Sequence, residues 1–284
     1  MWFVRHNALS FDAGIGWRPE LALSIARDAT IDFVEIVAEN ISPDRIPIPL
    51  EQLAERGVKV VPHGVSLSLG GTDRPSRERL SLLARLAEKL DAPIVSEHFA
   101  FVRAGGLDAG HLLPLQRTLE TLELLVENIL EAQKALPVPL ALENIATLFE
   151  WPGSDMDEAT FIAEALERTG ALLLLDVSNL YANVCNHHWD ATEFLDRLPL
   201  ERLAYVHIAG GIVRNGLYHD THAHGIPEGA LDLLTEVCSR VDVPGVMLER
   251  DDRFPEWSEL VAELEAITEA RLRGAFRRES AYAY

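Results

Sequence analysis

Eight short apolar runs, separated by amphipathic stretches, constrain the fold of this chain more than any other feature. They are AGIGW (13–17), DFVEI (32–36), KVVPH (59–63), IVSEH (94–98), PLALEN (139–144), ALLLLDV (171–177), LAYVHIA (203–209) and GVMLER (245–250). Runs of this length without clean polar alternation suit strands covered on both faces, as in a parallel sheet. Helical patterns lie between them, near 19–29, 50–56, 76–91, 114–135, 157–169, 191–197, 228–241 and 255–273. The stretch SRERLSLLARLAEKLD begins at a Ser cap and repeats apolar residues at i, i+3, i+4 spacing. Eight strand–helix units in 284 residues predict an α/β chain folded as a (β/α)8 TIM barrel. The expected organisation is a single domain over 1–284, with a short C-terminal tail from about 274. The alternative is an open doubly wound sheet. It would carry a Gly-rich phosphate loop after its first strand, and GIGWRPE does not match G-x-G-x-x-G.

The polar residues of these runs sit at their ends. The third run ends at His63, the fourth at Glu97 and His98, and the fifth at Glu143 and Asn144. The sixth reaches Asp176, with Asn179 three residues on; the seventh carries His207; the eighth contains Glu249. One such residue would be a satisfied core histidine or a capping acid. Six strand ends with His, Asp or Glu at matching depth would converge on one rim of a barrel, where active sites lie. The loop after the seventh run, YHDTHAHGIP (218–227), adds His219, Asp220, His222 and His224 to that rim. Burying several carboxylates together is costly unless cations neutralise them. The pattern therefore predicts a multinuclear metal site.

Imidazole and carboxylate donors without thiolate suit Fe, Mn or Zn. Glu143, central in the set, can bridge two ions through its two oxygens. The expected partition gives one ion His63, His98 and Glu143, and a second Glu143, Asp176, His207 and Glu249. Asp220 and His222 remain for a third, with Asn179 as a neutral neighbour. Glu143, Asp176, His207 and Glu249 are the expected catalytic core. Glu97, Asn144, Asn179 and His224 are expected to support the ligands. Glu35, Glu39 and Asn40 follow the second run and are expected to hydrogen-bond rather than ligate. His187 and His188 are expected either at the mouth of the site or exposed, and His6 and His111 receive no role.

Composition narrows the function classes. Asp and Glu number 45 against 25 Lys and Arg, a net charge of −20, which repels a nucleic-acid backbone. The clearest basic cluster, RLRGAFRR (271–278), falls at the C-terminal end. The two cysteines, Cys185 and Cys238, make no disulfide framework, and Cys238 lies in an apolar helical pattern that reads as core. The N-terminal MWFVRHNALSFDAG has no signal-peptide pattern, and no run approaches 18 uncharged apolar residues. A cytoplasmic protein that binds neither nucleic acid nor membrane is expected.

The ordered series PHGVSLSLGG (62–71), SEHFAF (96–101), LEN (142–144), LLDVSNLYANVCNH (174–187), VHIAGG (206–211), DTHAHGIP (220–227) and LERD (248–251) resembles the multinuclear non-haem iron-dependent oxidases. The methanobactin-biosynthesis oxidase is their best-known type, and the resemblance runs from GIGWRPE to LERDD. It implies a TIM barrel holding two or three irons, cycling between Fe(II) and Fe(III), with O2 as co-substrate. It also implies oxidation of a Cys, Asp or Asn of a ribosomally made precursor peptide, often with a leader-peptide-binding partner. The ligand roles it implies fall on His63, His98, Glu143, Asp176, His207, Asp220, His222 and Glu249. Asn179 stands where related zinc endonucleases, which share a barrel design with sugar isomerases, carry His. NHHWD (186–190) departs from the usual Asn-His-Gly.

Three other readings remain. A zinc or manganese hydrolase or isomerase could use the same barrel. A non-catalytic subunit could bind the peptide, although it would have no use for a complete ligand set. A Cys185–His187 nucleophile pair, two residues apart in one loop, lacks a third, orienting group.

Overall fold

The computed structural model describes residues 12–281; His6 and the N-terminal segment read for a signal peptide lie outside it. All eight apolar runs become strands of one closed parallel barrel. In chain order these are β1 (Ala13–Gly16), β2 (Phe33–Val37), β3 (Lys59–His63), β4 (Val95–His98), β7 (Leu140–Glu143), β8 (Leu172–Asp176), β9 (Leu203–Ile208) and β12 (Val246–Leu248). Around the barrel the order is β1-β12-β9-β8-β7-β4-β3-β2. Two hairpins rise from the loops: β5 (Phe101–Ala104) with β6 (Leu107–Leu113), and β10 (Ile212–Arg214) with β11 (Leu217–His219).

The helices are α1 (Ala22–Arg27), α2 (Ile48–Glu55), α3 (Arg77–Lys89), α4 (Leu119–Ala135), α5 (Glu158–Thr169), α6 (Val177–His187), α7 (Ala191–Arg197), α8 (Glu228–Arg240) and α9 (Trp257–Ala281). Side chains of Ser76, Thr118, Asp157, Asp176 and Asp190 cap α3, α4, α5, α6 and α7 by accepting from backbone N–H groups of the first turn. No helix among the described residues is long and apolar enough to cross a membrane.

Strand periodicity builds the site in layers, because residues two apart share a face. Phe33, Val61, Ile94, Ala141, Leu174, Tyr205 and Met247 belong to one core cluster, separate from the core under the helices. Two residues further along the same strands, or just past their ends, stand Glu35, His63, Ser96, Glu143, Asp176, His207 and Glu249. An apolar floor thus lies one step beneath a polar layer. Strand β1 contributes only Gly14 and Gly16 at these depths, and a Cβ on Gly14 would collide with the Phe33 ring. Phe33 can fill the barrel because Gly14 has no side chain. Burying such a side chain contributes about 1.5–3 kcal/mol.

Three elements differ from the sequence expectation. Helix α6 occupies a stretch read as loop, so Cys185 and His187 lie on one helix at a spacing whose side chains do not face each other. The second correction concerns the C-terminal tail. Helix α9 runs through 274–281 because Gly274 packs against Cys238 of α8, while Arg278 donates to the carbonyls of Cys238 and Val241 at the end of α8. Cys238 is buried there, as its apolar pattern predicts. The third difference is the pair of hairpins.

One largely covered acid lies apart from the polar layer. Glu158, in the first turn of α5, is pushed up to about 7, chiefly by burial; Arg117 opposes this while Glu150 and Asp157 add to it. Unfolded, the group titrates near its ordinary 4.5. The folded chain therefore keeps a proton that the unfolded chain releases, so stability falls as pH rises from about 4.5 to 7. Glu158→Gln is expected to raise stability by about 2–3 kcal/mol at pH 8, and by little at pH 4. Thermal melts of both proteins across that range check it; a gain independent of pH would refute the assignment.

Candidate metal centre

Strand register places the expected donors side by side. His63 pairs across the sheet with Ser96, His98 with Glu143, and Asp176 with His207. Glu143 sits at the middle. Its Oε2 is 3.6 Å from His63 Nε2 and 3.3 Å from His98 Nε2. Its Oε1 is 3.5 Å from His207 Nδ1, which lies 3.3 Å from Glu249 Oε2. On the loop above, His222 Nε2 is 2.6 Å from Asp220 Oδ2, while His222 Nδ1 is 3.3 Å from Glu249 Oε2.

Four groups could each surround one ion: His63, His98 and Glu143; Glu143, Asp176, His207 and Glu249; Asp176, Asp220 and His222; and His222, Glu249 and Asp251. Within each group the donor atoms lie within 4.8 Å of one another. Donors about 2.0–2.2 Å from an ion stand at most about 4.4 Å apart, so small side-chain adjustments close each shell. All eight sequence-derived donors are brought together, and Asp176 joins Asp220 and His222 as a shared neighbour.

The donor chemistry fits cations on a second count. Among the described residues, seven buried side-chain N or O atoms lack a hydrogen-bond partner. Five are in this cluster: His98 Nδ1, Glu143 Oε2, Asp176 Oδ2, His207 Nδ1 and Asp220 Oδ1. Leaving such an atom unpaired costs about 1–3 kcal/mol, so this concentration points to a shared partner of opposite charge.

Electrostatics agree. Burial opposes charge on His98, yet Glu143, Glu97 and Glu249 raise it to about 9. Burial likewise opposes charge on His207 and His222; Glu35, Glu143 and Glu249 raise the first, and Glu249 and Asp220 the second. Burial would raise Glu143, but His207, His98 and His63 pull it down to about 2. Glu249 is lowered against its burial by His222 and His207. Asp176 is raised well above the carboxylate range by burial, Asp220 and Glu143. The cluster demands positive charge, which protons on the imidazoles supply when no metal does.

The expected supporting residues divide. Glu97 accepts from the backbone N–H groups of Leu67 and His98 and stands 3.7 Å from His98 Nδ1. Asn144 bonds both backbone groups of Asp176. Asn179 donates to Glu143 Oε1 at 3.2 Å. His224 instead hydrogen-bonds Thr221 and Arg253 on the rim. Glu35 hydrogen-bonds within the site and Glu39 accepts from Val65 and Ser66; Asn40 ends a short 3-10 turn. His187 bonds Thr147, His188 ends α6, and Cys185 is exposed on the same helix.

Sequence reasoning missed Arg18, Asp251, Tyr205 and Ser96. Buried Arg18 pairs with Asp251 and lies 3.5 Å from Glu249, and Asp251 accepts from His222 Nδ1 at 3.1 Å. Asp251 stands two residues after Glu249, and Tyr205 and Ser96 two residues before His207 and His98; that spacing was the available signal.

Comparison with known proteins gives the family and the fold. The family model described as RiPP precursor modification enzyme MbnB/TglH/ChrH matches residues 12–271. A UPF0276 protein of Streptomyces avermitilis is 55% identical over 261 residues, covering 89% of this chain and 54% of its own length. The chain thus spans about half of that relative. A UPF0276 protein of Anaeromyxobacter sp. is 34% identical over 268 residues, covering 92% of this chain and 95% of its own. Among solved structures, endonuclease IV from Thermus thermophilus superposes with a TM-score of 0.59 at 22% identity, covering 91% of this chain and 99% of its own. D-psicose 3-epimerase from Clostridium cellulolyticum gives 0.53 at 15%, covering 94% and 98%. At those identities the likeness shows the barrel fold.

Proposed function

The chain belongs to the MbnB/TglH/ChrH family of RiPP precursor modification enzymes, and from that premise we propose that it is a multinuclear non-haem iron oxidase. Its substrate would be a Cys, Asp or Asn residue of a ribosomally synthesised precursor peptide, with O2 as co-substrate. The observation that carries this reading is the buried, thiolate-free donor cluster, in which Glu143 is shared between two candidate shells. His63, His98 and Glu143 would hold one ion; Glu143, Asp176, His207 and Glu249 a second; Asp220 and His222, beside Asp176, a third. Bound iron would supply the one-electron steps that O2 requires and a Lewis-acid position for a substrate thiolate or carboxylate.

The chain's own residues support such a centre. Asn179 orients Glu143, Asn144 ties the end of β7 to that of β8, and Glu97 braces the segment carrying His98. The apolar floor excludes water from beneath. Exposed Leu148, Phe149 and Trp151 in the loop after β7, with Ile212 and Val213 on β10, offer apolar surface for a peptide. A leader-binding partner would present that peptide. We place the protein in the cytoplasm, where ribosomes make the precursor; the free Cys185 and Cys238 are consistent with a reducing compartment.

Protein purified without oxygen is expected to hold about two to three iron ions per chain, by the ligand partition and the metal preference of these donors. Elemental analysis with a visible absorption spectrum checks this. Stoichiometric zinc alone, with no O2-dependent mass change of a peptide encoded beside the gene after iron loading, would sink the oxidase reading.

A further inference from the structure

Within the polar layer, dipping one step below it at Tyr205, one unbroken chain of buried hydrogen bonds links His63 to His207 through three residues outside the ligand partition. His63 Nδ1 lies 2.9 Å from Ser96 Oγ. Ser96 Oγ is 2.8 Å from the Tyr205 hydroxyl, which is 2.5 Å from Glu35 Oε2. The same Glu35 oxygen lies 3.0 Å from His207 Nε2. All five side chains are buried. Glu35 comes from β2, His63 from β3, Ser96 from β4, and Tyr205 and His207 from β9, so four strands of the barrel are tied to one carboxylate.

Counting hydrogens fixes the direction of every link. A carboxylate only accepts, so Tyr205 O–H and His207 Nε2–H both donate to Glu35. Tyr205 has then spent its one hydrogen, and its oxygen accepts from Ser96 O–H. Ser96 has in turn spent its own, so its oxygen accepts from His63 Nδ1–H. Each polar hydrogen in the chain is used once. The outcome places the ring hydrogens on His63 Nδ1 and His207 Nε2, and leaves His63 Nε2 and His207 Nδ1 to offer a lone pair when a cation takes the place of a proton there. Those are the two nitrogens that face Glu143, at 3.6 and 3.5 Å.

We infer that Glu35, directly and through Tyr205 and Ser96, fixes the ring tautomer and orientation of both His207 and His63, and so positions one imidazole in each of the two candidate shells that share Glu143. Glu35, Tyr205 and Ser96 are positioning residues. They act through the two histidines, by presenting lone pairs. One carboxylate thereby couples two shells that otherwise meet only at Glu143. The inference rests on the metal-centre reading.

Zinc-loaded full-length protein with 15N-labelled histidine tests it, because zinc is diamagnetic and suits these donors. Solvent-protected imidazole N–H resonances are expected for His63 Nδ1–H and His207 Nε2–H. Tyr205→Phe removes only the hydroxyl. It should release the His63 resonance to solvent, leave that of His207 in place, and lower zinc affinity at the His63 shell alone by roughly 10–100-fold in chelator competition. Glu35→Ala should disturb both resonances and both shells. Glu35→Gln, whose amide oxygen still accepts, should restore both resonances. An unchanged His63 resonance and affinity in Tyr205→Phe would overturn the inference, as would equal weakening of the two shells. Wild-type protein that takes up no zinc, iron or cobalt would instead overturn the metal-centre reading, and this inference with it.

Discussion

Glu143→Ala is expected to cost the protein two metal ions rather than one, and with them its turnover. Its two oxygens face different partners: Oε2 faces His63 and His98, and Oε1 faces His207. Truncation leaves one shell with two imidazoles, and removes from the other the only donor common to both. A metal centre supplies several kcal/mol of transition-state stabilisation, so the rate of peptide modification should fall by roughly a thousandfold or more. Asp220→Ala is the control, because Asp220 belongs only to the loop-borne group with Asp176 and His222. It should cost one ion. Elemental analysis of both variants decides the matter; equal metal losses would refute a bridging Glu143.

Stepwise chelation should separate the ions in order, with a large drop in melting temperature only late. Asp220 and His222 sit on a loop, and His222 has φ of 50°, a conformation uncommon for residues other than Gly. Loops open at lower free-energy cost than barrel strands. The ion held there should leave first, with the melting temperature nearly unchanged; His222→Ala should reproduce that state. The strand-held ions should leave next. A ligand present at a thousand times its Kd stabilises the folded state by about 4 kcal/mol. Losing two such ions should lower the melting temperature by more than about 10 °C. Concerted loss of all metal, or loss of a strand-held ion first, would refute this order.

The barrel and the residues gathered at its candidate site were legible because both depend on strand periodicity. A continuous apolar run marks each strand, and a His, Asp or Glu near its end marks the rim. The network that joins His63 to His207 was harder to see. Ser96 and Tyr205 are isolated polar groups inside runs that otherwise read as buried core, and only the closed barrel brings Tyr205 to Glu35, 170 positions away in sequence. Arg18 and Asp251 are 233 positions apart and meet because β1 pairs with β12. The hairpins did carry a local sign. Asn215-Gly216 joins β10 to β11, both with positive φ, and Gly105-Gly106 joins β5 to β6 in the same way. Helix α6 escaped notice for a different reason. Its buried face sets Ser178, Asn179 and Asn183 beside Val177, Leu180 and Ala182, so polar residues interrupt the apolar stripe that marks other helices.

The floor of the barrel has a consequence for traffic. Phe33, Val61, Ile94, Ala141, Leu174, Tyr205 and Met247 have at most traces of exposed surface and close the end opposite the rim. Among the described residues, the donor layer therefore has no route out through the floor. A molecule that reacted at the donors would have to come and go on the rim side, where the two hairpins rise, so that a departing product would occupy the path of the next arrival.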